Sequence, residues 1–146
     1  MRRIISNTSC LIALSNIKRL DILQKLYGTI VVTPEVQKEF GEILPDWISV
    51  VPVSDPDKTK LIQGTLDLGE SSSIALAIES EESLLILDDR KARRFAQTQG
   101  LELTGTLGVV VKSIHSGIID EEVTTILNEF RSCGFHIPSE IDDLFS

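Results

Sequence analysis

Leu84-Leu85-Ile86-Leu87-Asp88-Asp89-Arg90 is a run of four apolar side chains that stops at two carboxylates and then enters a basic segment. Consecutive apolar residues leave no wet side, so a strand made of them is covered on both faces, as in a buried parallel sheet. Ile4-Ile5-Ser6-Asn7-Thr8-Ser9 repeats the pattern near the start of the chain, with small polar residues where the acids would stand. Such strands deliver side chains to a crevice beyond their carboxyl ends. One end offers two carboxylates and the other an asparagine.

Along the rest of the chain, strand and helix signals alternate. A first strand over residues 3–6 leads to helical segments over 9–14 and 17–26, where Leu11, Leu14, Ile17, Leu20 and Leu23 recur near the 3.6 period. Gly28 stops them. The β-branched run 29–32 is a second strand, and Thr33-Pro34 caps and starts a helix that carries Val36, Glu39 and Phe40. Residues 47–53 suggest a peripheral strand, and Asp55-Pro56-Asp57 a turn into a short helix. An acidic, serine-rich first turn over 67–73 opens the helix through Ile78. After the strand 84–87 come a basic helix over 89–99, a strand over 101–104, a helix from Gly105-Thr106 to His115, and an amphipathic helix over 121–133. Residues 139–146 are expected to add a turn or two. This order predicts an α/β chain, with a doubly wound central parallel sheet and helices on both faces, in one domain spanning 1–146.

The 146-residue chain is 42% hydrophobic with a mean hydropathy of +0.13, enough apolar surface for an ordered core. No segment reaches the ~18 apolar residues of a membrane span, and Met1 to Asn7 lacks the apolar stretch of a signal peptide. A cytoplasmic protein with no membrane partner is therefore expected. Cys10 and Cys133 have no metal-type spacing and read as reduced thiols, while His115 and His136 lack patterned partners. The net charge of −8 argues against a broad basic face for nucleic acid. It does not argue against an acidic cluster that meets phosphates through bound cations.

Asn7, Asp88 and Asp89 end two strands, Glu70 opens a helix, and Glu39 lies on the helix after the second strand, so four elements can converge. Oxygen donors without His or Cys select hard cations such as Mg²⁺ or Mn²⁺ over zinc. Each residue also has an ordinary use. Glu39 can be a solvated helix residue, Glu70 a charge at a positive helix end, and either aspartate a cap. Two adjacent acids after a buried strand exceed what a cap needs. Neighbours at a strand end point in different directions, so which of Asp88 and Asp89 is the metal ligand stays open. Arg90, Lys91, Arg93 and Arg94 would ordinarily be a solvated face, but beside the acids they can meet phosphate.

Five segments, taken in order, carry a resemblance. They are Ile-Ile-Ser-Asn-Thr-Ser-Cys-Leu-Ile-Ala-Leu (4–14), Val-Thr-Pro-Glu-Val-Gln-Lys-Glu-Phe (32–40), Leu-Gly-Glu-Ser-Ser-Ser-Ile-Ala-Leu-Ala (68–77), Leu-Leu-Ile-Leu-Asp-Asp-Arg-Lys-Ala-Arg-Arg (84–94) and Thr-Gly-Thr-Leu-Gly-Val-Val (104–110). Together they resemble PIN domains, in the phrasing of an uncharacterised prokaryotic branch related to VapC-type toxins. The resemblance implies a Mg²⁺- or Mn²⁺-dependent ribonuclease acting on single-stranded RNA, often the toxin of a toxin–antitoxin pair and often a homodimer. Carried over by position, Glu39, Glu70, Asp88 and Asp89 match the family's acidic residues, with Glu70, Asp88 and Asp89 as metal ligands. Ser9 matches its small hydroxyl residue, Thr104 or Thr106 its late polar residue, and Arg90 falls beside the substrate. The family's leading aspartate is Asn7 here. Asparagine still offers a carbonyl oxygen to a cation, but it brings no charge and cannot act as a base. Weak or absent cleavage is expected, and a catalytically inactive PIN-fold module that binds RNA or a protein partner is the rival. A phosphoacceptor receiver domain would need its acidic pair after the first strand, where this chain has Asn7-Thr8.

Overall fold

The computed structural model describes residues 2–137, and the turn expected over 139–146 lies outside the described residues. The elements run β1 (Arg3–Ser6), α1 (Thr8–Asn16), α2 (Asp21–Tyr27), β2 (Ile30–Val32), α3 (Pro34–Phe40), β3 (Ile48–Val50), α4 (Pro56–Gln63), α5 (Leu68–Glu79), β4 (Ser83–Ile86), α6 (Arg90–Thr98), β5 (Glu102–Thr104), α7 (Thr106–His115) and α8 (Val123–Ser132). All strand pairs are parallel, in the order β3-β2-β1-β4-β5. The expected α/β architecture holds.

Period-2 side-chain alternation divides the core between the two sheet faces. Ile4, Ile30, Val32, Leu84 and Ile86 pack with residues of α1, α2, α3, α7 and α8. Ile5, Val31, Leu85 and Leu87 pack with Ile74, Leu76 and Ala77 of α5 and with Ala92 and Ala96 of α6. Small residues on α5 and α6 suit that second face, since they let a helix lie close to the sheet. Among the described residues no helix is long and apolar enough to cross a membrane.

Two boundaries differ from the sequence pattern. The helix expected over 17–26 begins only at Asp21, because the chain turns at Lys18 with φ 60° and Arg19 N–H returns to the Leu14 carbonyl at 2.8 Å. Ile17 and Leu20 keep helical spacing across this turn since both pack into one core, so the period conceals the break. The strand expected over 47–53 shortens to Ile48–Val50. Pro52 has no N–H with which to extend the ladder.

A buried chain of hydroxyls ties α3 to α5. The Val36 N–H donates to Thr33 Oγ1 at 3.2 Å, Thr33 and Ser72 share a hydroxyl bond of 2.7 Å, and Ser72 Oγ donates to the Gly69 carbonyl at 3.2 Å. Thr33→Val removes a helix cap and a buried partner together, and is expected to cost about 2 kcal/mol in urea unfolding. An unchanged unfolding midpoint would remove this link from the account.

Candidate functional site

The sheet order reverses direction at β1, with β2 and β3 to one side and β4 and β5 to the other. Adjacent strand ends therefore open a crevice between β1 and β4. Ser6 pairs with Ile86, and the Asn7 N–H donates to the Ile86 carbonyl at 3.0 Å, so the ends of β1 and β4 are adjacent and Asn7 and Asp88 reach one pocket. The crevice is an open pocket of about 430 Å³ lined by Asn7, Thr8, Ser9, Ile12, Glu39, Asp67, Glu70, Asp88 and Asp89. A larger depression of about 500 Å³ lies near the amino ends of β4 and β5, between Arg2, Glu82 and Glu102, away from this convergence.

Asp88 and Asp89 have separate duties. Asp88 Oδ1 accepts the Thr106 N–H at 2.8 Å, while its Oδ2 accepts the Thr106 hydroxyl at 2.5 Å and the Ser9 hydroxyl at 3.0 Å. Three donors from two elements fix that carboxylate's orientation. Gly105 makes room for it, since a Cβ there would stand 2.9 Å from Asp88 Oδ1 and 3.3 Å from Arg93 Nη1. Asp89 caps α6 by accepting the Ala92 N–H at 2.9 Å, yet it also lines the pocket. Beneath Asp88, burial first and then the aspartate's charge push the Cys10 thiol up to about 12, which leaves it inert as a nucleophile at neutral pH.

Across the pocket, α5 begins with a capping box in which Asp67 accepts the Glu70 N–H at 2.8 Å and Glu70 accepts the Asp67 N–H at 3.2 Å. Glu39 reaches in from α3 and accepts the Thr8 hydroxyl at 3.3 Å. Burial raises the Glu39 carboxyl above its ordinary range, with the charges of Asp67 and Glu35 adding to it and the Thr8 bond opposing. Glu70 is raised as well, by burial first; the Asp67 backbone bond opposes, and the charges of Asp67, Asp89 and Glu39 add. At both acids burial is the larger cause, and the neighbouring carboxylates add to it.

Asn7 is only 5% exposed, and its Oδ1 accepts no hydrogen bond among the described residues. A buried acceptor left unpaired costs about 1–3 kcal/mol, so nearly all such groups have a partner. An unpaired oxygen on a residue that lines a pocket of oxygen donors fits a hard divalent cation in chemistry. In number the set falls short. Among the described residues no three His, Cys, Asp or Glu side chains gather closely enough to hold a metal by themselves.

Of the residues expected at the site, Asn7, Ser9, Glu39, Glu70, Asp88 and Asp89 share the pocket. Thr106 is fully buried and holds Asp88 instead of facing the pocket. Thr104 ends β5, where its carbonyl accepts the Leu87 N–H at 2.9 Å and its hydroxyl lies against Gly108. Arg90 is exposed at the start of α6, just outside the pocket lining. Thr8, Asp67, Gly69 and Gly105 were not expected. Asp67 could have been read from its place three residues before Glu70, the capping-box spacing. The glycines carry no such signal, because their use depends on what approaches them in space.

A family model described as a PIN domain matches residues 3–144. No curated protein matches the chain.

Proposed function

The chain belongs to the PIN-domain family, which supports a nuclease-type function on nucleic acid, and from that premise we propose a divalent-cation-dependent ribonuclease for single-stranded RNA whose activity is impaired by Asn7. The observation that carries this reading is that Asn7, whose Oδ1 is buried without a partner, lines the same pocket as the fixed Asp88 carboxylate at the switch point of the sheet. PIN domains generally use divalent metal ions. Asn7 and Asp88, with Glu70 and Asp89 at the rim, would hold Mg²⁺ or Mn²⁺, which when bound supplies an activated water and charge relief on the cleaved phosphate. The remaining work falls to this chain's own groups. Ser9 and Thr106 hold Asp88 in one orientation, and the capping box holds Glu70 at the mouth of α5.

RNA contact falls to α6. Arg90, Lys91 and Arg94 are exposed and take part in no ion pair among the described residues, while Arg93 is committed to the Leu87 carbonyl at 2.7 Å. In a chain of net charge −8 they form a local exception beside the pocket. Each of Arg90→Ala, Lys91→Ala and Arg94→Ala is expected to lower the slope of log affinity against log salt by about 0.7 for single-stranded RNA. Slopes identical to the parent would place the RNA elsewhere.

The decisive assay is cleavage of single-stranded RNA by the Asn7→Asp chain with Mg²⁺ or Mn²⁺. The second reading, an inactive PIN-fold module that binds RNA or a protein partner, is favoured by the neutral residue at the leading position and the short count of acids. RNA binding indifferent to EDTA, with no cleavage after Asn7→Asp, would select it. A VapC-type toxin role, with an antitoxin partner and a homodimer, rests on the resemblance of motifs, whereas a cytoplasmic site of action and one domain over 1–146 rest on hydropathy, length and the order of elements. Cleavage confined to RNA, and relieved by a co-expressed neighbouring reading frame, would support that role.

A further inference from the structure

We propose that Gly69 is a positioning residue, whose missing side chain leaves the slot through which the Glu39 carboxylate reaches the first turn of α5 and enters the acidic pocket. Gly69 is buried within α5, and its backbone is not in the left-handed region that would require glycine. Glycine is a poor helix residue, so its presence there needs another cause. A Cβ at this position would overlap Glu39 Oε1, and would stand 2.9 Å from Glu39 Cδ and 3.2 Å from Thr8 Oγ1. The space a methyl group would fill is thus the space the carboxylate occupies.

One hydrogen bond holds the acid there. Thr8 Oγ1 donates to Glu39 Oε1 at 3.3 Å, and the carboxylate, lying where a Cβ of residue 69 would stand, is next to the Gly69 backbone amide. That amide lies in the first turn of a twelve-residue helix, whose positive end favours a negative group. Glu39 is itself exposed, on the exposed stretch 37–39 of α3, from which a long side chain with no slot to enter would sample many rotamers in water. The obstructing atom in a Gly69→Ala chain would be the tip of a flexible side chain. Alanine is therefore expected to preserve the helix and to expel Glu39.

This inference rests on the proposed function only for what the acid contributes to cation binding, and its test has a separate structural arm. In the parent chain, Glu39→Ala is expected to shift the residue-69 amide signal in ¹⁵N–¹H spectra; in the Gly69→Ala chain the same change is expected to leave that signal in place. In the Asn7→Asp background, Gly69→Ala and Glu39→Ala are each expected to weaken Mn²⁺ binding by about tenfold, and the double substitution by no more than either alone. An amide that still responds to Glu39 in the Gly69→Ala chain, or additive losses of Mn²⁺ affinity, would overturn the proposal. Should Gly69→Ala fail to fold, recovery of the fold by adding Glu39→Ala supports the clash, and continued failure overturns it. A wrong nuclease reading would instead abolish Mn²⁺ binding in every chain and leave the amide result intact.

Discussion

Asn7→Asp is expected to strengthen Mn²⁺ binding by about tenfold or more, and to raise RNA cleavage from little or none to a readily measured rate. The position lies at the end of β1, one residue past the Ser6–Ile86 pair, where its Oδ1 is already buried without a partner. A carboxylate there adds a unit charge in the same place. Beside a divalent ion at ~4 Å, that charge is worth up to about 8 kcal/mol at an effective dielectric of 20, before desolvation removes much of it. A remainder of only ~1.4 kcal/mol is tenfold in affinity. The same substitution has a cost without metal, because it adds another anion among Glu39, Glu70 and Asp88. Its melting temperature is therefore expected to fall below the parent's in EDTA and to rise more steeply than the parent's with Mn²⁺, by linkage. Calorimetric titration and thermal melts check both halves. Equal affinities in the two chains would show that residue 7 does not face the cation.

Asp88→Ala is expected to have the largest negative effect. It leaves the Thr106 N–H, the Thr106 hydroxyl and the Ser9 hydroxyl without their acceptor. Hydroxyls can turn to other partners, but the amide cannot, and an unpaired partly buried donor costs about 1–3 kcal/mol. Cleavage by the Asn7→Asp chain should fall by about a hundredfold or more, as two or more tenfold steps of affinity and orientation are lost together. Asp88→Asn separates the two roles. Its amide keeps one acceptor oxygen for the Thr106 N–H, so urea unfolding should show a smaller loss of stability than with alanine. Cleavage should fall as far as with alanine, because the charge is gone. If Asp88→Asn retained full cleavage, Asp88 would be a purely structural acceptor, and Asp89 would become the ligand.

Strand ends were the part of this fold most legible in the sequence. Leu84 to Leu87 and Ile4-Ile5 announce buried parallel strands by lacking alternation, and parallel connections place their carboxyl ends on one edge. The pairing of β1 with β4, which brings Asn7 and Asp88 to one pocket, follows from the strand order and could not be read from spacing. For the same reason spacing did not reveal that the two acids have different partners, since Thr106, which holds Asp88, lies eighteen positions later, while Asp89 caps α6 through Ala92. Thr106 itself looked like a residue for substrate. Its burial turns it toward the carboxylate, a fact of packing that no local pattern encodes. Gly69 and Gly105 were silent for a related cause, since a missing side chain matters only where another group fills the space.

The central claim is that this pocket is a cation site for RNA cleavage, dormant because its leading acid is an amide. Purified parent and Asn7→Asp chains should be incubated with one end-labelled single-stranded RNA in Mn²⁺, in Mg²⁺ and in EDTA. The account predicts discrete cleavage products from the Asn7→Asp chain with either metal, none in EDTA, and few or none from the parent throughout. No products from the Asn7→Asp chain at any metal concentration, with the chain folded and binding the RNA, would contradict it.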